Sequence, residues 1–246
     1  MNTRSLIKSL LILVGALIAF PSLSRAQSVP QLPCCIDFNN PDQGGISGSF
    51  VNDLDIRYPG PSGDPNDGYL HARDASGGSW ARLKNPNDGK PHCFGNWKEL
   101  LRPGKCIDLC WDVNLLTDGD NSQVIMKPAH ITIWFGGLRA VFRTFNSISE
   151  MGGPNNGWYS FCAPIALSNP DGTLPSNDQG EWIFKDANGN DRPAAEWDQL
   201  LCNIDQIAFA VDYHGFQTEE WCWDNICLTE RDCAGCVVSN GSWDCE

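Results

Sequence analysis

The run Trp221-Cys222-Trp223-Asp224-Asn225-Ile226-Cys227-Leu228 decides how the chain is read. Bulky and polar residues alternate along it at a period of two, the pattern of a strand with one face in a core. It holds two cysteines and two tryptophans close to the C-terminus, where a last strand closes a sheet. The same period is clearest in residues 105–116. There Ile107, Leu109, Trp111, Val113 and Leu115 share one face, and Cys106, Asp108, Cys110, Asp112 and Asn114 share the other. Residues 130–135 alternate again, with Ile131, Ile133 and Phe135 inward and Thr132 and Trp134 outward. Gly136-Gly137 then makes a tight hairpin into residues 138–145, which send Arg139 and Arg143 outward beside Trp134.

Further strands are expected at 34–38, 46–56, 69–73, 79–83, 158–165 and 204–211, with a short apolar segment at 182–184. Loops rich in Gly, Pro, Asn and Asp separate them. Residues 194–201 are the best helix candidate, and residues 97–101 suit a single helical turn. The fold class is therefore all-β: a two-sheet antiparallel β-sandwich, of jelly-roll type because the loops exceed what a meander needs. It carries one or two short helices and a Cys-rich C-terminal tail. The expected organisation is a signal peptide at 1–26, a leader at 27–33, the sandwich at 34–229 and a disulfide-bonded tail at 230–246.

The signal peptide has Arg4 and Lys8 at its basic end, an apolar run over residues 10–20, and Ser24-Arg25-Ala26 as a cleavage site. That run is shorter than the ~20 residues that cross a bilayer, and no later run approaches that length, so no membrane span is expected. The chain carries a net charge of −13, more negative still without Arg4, Lys8 and Arg25. This repels nucleic acid and anionic lipid. All 12 cysteines follow the leader, which in an exported protein reads as disulfides rather than thiol or zinc chemistry. Cys106 and Cys110 share a strand face and so should each bond to another strand, and Cys222 and Cys227 would lock the closing strand. The expected location is secreted, extracellular or at the cell surface.

The two ends of the sandwich resemble the bracketing strands of secreted bacterial jelly-roll domains, similar to carbohydrate-binding modules and laminin-G-like domains. The resemblance rests on Cys35-Ile36-Asp37-Phe38 at the start and on Trp223-Asp224-Asn225-Ile226-Cys227-Leu228 at the finish. It implies that the first and last strands pair. It also implies a structural calcium (Ca2+) held by Asp37 and Asp224 with backbone carbonyls. Pairing of the end strands would let Asp212 converge on the same place.

Ten tryptophans exceed what one core needs, and exposed Trp suits the apolar face of a sugar ring. Asp108, Asp112, Asn114, Trp134, Arg139 and Arg143 are read as one outward face mixing aromatic and polar groups, extended by Trp158, Tyr213 and Trp221. The alternative is ordinary surface pairing. The primary expectation is a non-catalytic protein that binds a polysaccharide or glycan. The rival is a cell-surface adhesion module with a protein partner, and the third reading is a glycoside hydrolase or lyase using Asp108/Asp112 or Glu219-Glu220. Residues 186–190, 64–68 and 118–120 read as polar turns rather than metal loops. Cys233-x-x-Cys236 is half of a zinc-ribbon pattern and reads as a disulfide knot.

Overall fold

A computed structural model describes residues 28–39, 45–49, 51–74, 79–86, 92–117, 128–148, 150–151, 153, 155–211 and 218–232. The expected signal peptide and tail knot, and Asp118, Asp120, Asp212 and Tyr213, lie outside the described residues. The elements are β1 (Cys34–Ile36), β2 (Gly45–Ser49), β3 (Val51–Arg57), β4 (Tyr69–Asp74), β5 (Trp80–Lys84), β6 (Lys105–Thr117), β7 (Ile131–Phe135), β8 (Leu138–Thr144), β9 (Tyr159–Ile165), β10 (Gly180–Asp186), α1 (Ala194–Leu201), β11 (Gln206–Ala210) and β12 (Glu220–Asp232). A single 3₁₀ turn, Lys98–Leu100, sits where a helical turn was expected.

Two antiparallel sheets face each other. The first runs β3-β4-β12-β6-β9, with β1 also on β12, and the second runs β10-β8-β7-β11-β5-β2. The chain changes sheet repeatedly. The span read as one strand region at 46–56 is two strands, β2 in the second sheet and β3 in the first. Isoleucines at 46 and 56 look alike in sequence, yet they pair with different neighbours, Leu83 and Leu70.

Alternation places the core. Ile107, Leu109, Trp111, Val113 and Leu115 of β6 are all at most 1% exposed, and meet Ile131, Ile133, Phe142, Ile207 and Phe209 of the second sheet within one hydrophobic cluster. Aromatic rings fill the middle. Trp111 meets Phe142 edge-on at 6.0 Å and Phe161 in a stack at 5.7 Å, while Phe209 stacks on Trp223 at 4.8 Å. Helix α1 covers one end of the core with Trp197, Leu200 and Leu201, and Arg192 pairs with Glu196 one turn on. The indole N–H groups of Trp97, Trp182 and Trp197 donate to the carbonyls of Cys93, Pro164 and Ala166. That satisfies polar atoms which burial would otherwise strand.

β12 is central rather than terminal in space. It pairs with β6 on one side, and with β4 and then β1 on the other. β12 continues its ladder with β6 to Asp232, beyond residue 229. Trp221 and Trp223 point into the core at 1% and 2% exposure, so Trp221 does not extend an outer face. The first and last strands do pair, Cys35 opposite Cys227, and a disulfide joins them. Cys110 is bonded to Cys162 on β9, and Cys34 to Cys93, while Cys106 and Cys202 are also disulfide-bonded. Cys222 departs from expectation. It is a buried free thiol, and burial pushes its pKa up to about 12, leaving it protonated and unreactive at neutral pH.

The Cys35–Cys227 bond spans 192 residues of sequence. Replacing both cysteines by alanine should cost about 2–5 kcal/mol, read from urea unfolding as a lower midpoint. An unchanged midpoint would show that the disulfide adds nothing to closure beyond the β1–β12 ladder.

Candidate functional site

The outward residues of the second sheet form three rows. The first runs Trp80, Ala210, Arg143, Glu181. The second runs Arg82, Ala208, Thr132, Val141, Ile183, and the third runs Lys84, Gln206, Trp134, Arg139, Lys185. Each follows from an inward neighbour: Ala81, Leu83, Ile131, Ile133, Ala140, Phe142, Trp182, Phe184 and Ile207 fill the core, so the residues between them must face out. The small side chains of Ala208 and Thr132 are fully covered by the longer ones around them, and Ala210 reaches the surface at 9% exposure. Trp80 and Trp134 stand with their rings edge-to-face at 6.4 Å.

Across the β8–β10 side this face becomes a cleft of about 610 Å³. Trp80, Val141, Ile183 and Phe145 supply its apolar wall, and His130, Arg139, Arg143, Glu181 and Lys185 its polar one. Phe145 is 54% exposed at the rim. The guanidinium of Arg139 lies 5.6 Å from the Trp134 ring centre, which fixes both side chains. Several polar atoms on this face are buried without a hydrogen-bond partner: Thr132 Oγ1, Trp134 Nε1, Arg82 Nε and Arg139 Nε. Lys185 bonds Asp191 at 2.7 Å. Burial, with Arg143 nearby, pushes the His130 imidazole down to about 4, so the ring is neutral at physiological pH.

The residues expected on one face are divided between two. Trp134, Arg139 and Arg143 come together on the second sheet. Asp108, Asp112 and Asn114 lie on β6, on the outward side of the first sheet, because β6 and β7 belong to different sheets. Asp108 is buried and ion-paired with Arg231. Asp112 accepts hydrogen bonds from Ser160 and Asn225. Trp158 packs edge-on against Tyr69, 5.5 Å between centres, at the first sheet. Trp80, Arg82, Ile183 and Lys185 were not picked out from sequence. Their signal was present in the inward partners Ala81, Leu83, Trp182 and Phe184, but the pairing of β5 with β11 was not.

The first sheet carries a second feature. The register of β12 on β6 shifts between Asp224 and Cys227, and Asn225 takes a left-handed conformation with φ 48°. Alternation from Trp223 turns the Asp224 carboxylate outward beneath residues 58–68, where Gly60 approaches it, and the bulge then returns Ile226 to the core. Gly68 is forced nearby, since a Cβ there would lie 2.5 Å from the Phe38 carbonyl oxygen. Asp224 is 0% exposed, and neither carboxylate oxygen has a hydrogen-bond partner. Burial first, then the charges of Asp67, Asp112 and Asp37, pushes its pKa up to about 8, while the Asn225 N–H pulls the other way. Among the described residues, no three His, Cys, Asp or Glu side chains are gathered as a ready metal cage. The turns at 64–67 and 186–190 close on themselves: Asp64 accepts from the Asn66 N–H, and Asp186 from those of Asn188 and Asn190.

No family model and no curated protein matches the sequence. Solved structures with a similar chain path include an exo-β-agarase (TM-score 0.49, 17% identity, 81% of this chain and 25% of that one). Another is a family 11 carbohydrate-binding module from Clostridium thermocellum in complex with a β-1,3-1,4-mixed-linked tetrasaccharide (0.42, 16%, 82% and 97%). A third is the alginate lyase Aly36B (0.36, 14%, 85% and 100%). This chain spans about a quarter of the length of the agarases it superposes on. Among the described residues, no helix is long and apolar enough to cross a membrane.

The His130 shift has a direct consequence. The folded pKa lies below the ordinary 6.5, so the stability gained by burying a neutral ring is present above pH 6.5 and lost as pH falls through about 4. NMR titration of the ring protons should give a midpoint near 4. A midpoint near 6.5 would place the ring in open solvent.

Proposed function

We propose that the chain is an exported protein that binds a glycan in the cleft on the outward face of its second sheet. The observation that carries this reading is the cleft itself: Trp80, Val141, Ile183 and Phe145 form an apolar wall beside His130, Arg139, Arg143 and Glu181, with Trp134 adjoining through its contacts with Trp80 and Arg139. A sugar ring presents an apolar C–H face that suits the indoles and hydroxyls that suit Arg, Glu and neutral His. The cleft volume of about 610 Å³ falls in the usual range for a small-ligand site. Binding rather than bond cleavage suits this lining: the carboxylate pairs Asp108/Asp112 and Glu219-Glu220 are on the first sheet, away from the cleft. The disulfides support an oxidising destination, in keeping with export through the expected signal peptide at 1–26.

A calcium ion bound by Asp224, with Asp37 and backbone carbonyls completing its shell, is the second part of the reading. It is supported by the buried, unpartnered Asp224 carboxylate and by the acidic neighbours that destabilise its charge. The ion would supply positive charge; the chain's own part is to hold the β12 bulge, residues 37–39 and residues 58–68 together around Asp224.

Two measurements test these statements. In affinity electrophoresis through a panel of soluble polysaccharides, the protein should be retarded by at least one. Trp134→Ala and Trp80→Ala should each weaken that retardation roughly tenfold, the worth of one stacked ring. Retardation by none, or variants that migrate as the parent does, would overturn the assignment. For the metal, calcium at about a hundredfold excess over its dissociation constant should raise the melting temperature by roughly 5 °C after EDTA treatment. Asp224→Asn should abolish the shift; a parent protein indifferent to calcium would remove the metal from the reading.

A further inference from the structure

The charge of the cleft runs against that of the chain. The sequence holds 30 acidic and 17 basic residues. The cleft lining holds Arg139, Arg143 and Lys185 against the single carboxylate Glu181. Arg82 adds a fourth cation in the row beside Thr132. Lys185 is bonded to the exposed Asp191, while the guanidinium groups of Arg82, Arg139 and Arg143 enter no ion pair among the described residues. Arg139 is held over the Trp134 ring with its Nε buried and unpartnered. A guanidinium with no carboxylate partner keeps its outer donors available to an arriving anion. The neighbouring His130 stays neutral at physiological pH.

We infer that the glycan this cleft takes is anionic, carrying a carboxylate or sulfate on its sugar rings. Arg139 and Arg143 would each meet such a group along the glycan while Trp80 stacks on a ring. This rests on the cleft being the glycan site. The planar fork of Arg matches the oxygens of a carboxylate or a sulfate ester, and the apolar strip of Val141 and Ile183 lies between the two charged rows. The net negative charge of the chain disfavours a polyanion in general, whereas this face offers it unpaired cations. That gives selectivity of position as well as of ligand.

The test compares matched polymers that differ in charge alone: polygalacturonate with its methyl ester, and dextran sulfate with dextran, each by calorimetry or affinity electrophoresis on the full chain. Binding to polygalacturonate, to dextran sulfate, or to both, at least tenfold tighter than to the neutral partner supports the inference and tells carboxylate from sulfate. Such binding should weaken as salt rises through the physiological range. Arg139→Gln and Arg143→Gln should each lose about tenfold on the charged polymer. Lys105→Gln removes the same charge from the first sheet and should change nothing; an equal loss there would reduce the effect to bulk charge and overturn the inference. Binding to a neutral polymer as tight as to its charged partner would also overturn it while leaving the glycan cleft standing. Binding to no polymer of any charge would overturn both.

Discussion

The ladder between β12 and β6 is the interaction on which the rest of the molecule depends. It runs from Glu220 opposite Thr117 to Asp232 opposite Lys105, and places a core-facing residue of one strand beside that of the other along most of its length. Every other strand of the first sheet is attached through one of these two: β4 and β1 on β12, β9 on β6, and β3 beyond β4. Trp111 and Trp223 rise from the ladder to meet Phe142 and Phe209, so the second sheet is seated on it as well. The cleft on the far side of that second sheet therefore owes its shape to a strand pair that never touches a ligand.

The same ladder contains the one irregularity that matters for ion chemistry. A regular strand would continue alternating past Asp224. The bulge at Asn225 resets the alternation, so that Ile226 and Leu228 face the core while Asp224 faces residues 58–68. A carboxylate with no hydrogen-bond partner in a buried place is costly in either protonation state. It is tolerable where the surrounding strands hold it, and useful where a cation arrives.

Much of the fold was legible because alternation is a local property. The five inward residues of β6, the Gly136-Gly137 hairpin, helix α1 and the pairing of the ends could all be read from residues a few positions apart or from the cysteine-bearing ends. The site was only half legible, for a physical reason. Trp134, Arg139 and Arg143 are joined by one hairpin and stay together. Asp108, Asp112 and Asn114 share an outward orientation with them in sequence, but a sandwich has two outward faces, and parity cannot say which. Conversely, Trp80 and Trp134 are brought side by side by β11, which pairs with both β5 and β7. Cys222 follows the same logic: its alternation was read correctly, but no thiol stands opposite it, since its ladder partners are His71 and Asn114.

Cys34 and Cys35 are neighbours in the chain with different destinations, Cys93 and Cys227. Successive side chains of a strand point to opposite sides, so the two bonds are distinguishable only once β1 has settled into register on β12. Before that, the two thiols are near-equivalent competitors for the same partners. A slip of one residue exchanges them and turns Ile36 out of the core. Faithful maturation therefore calls for thiol–disulfide exchange to continue until the strand is seated. Preparations made in a reducing cytosol would carry the sandwich with its first strand unfastened.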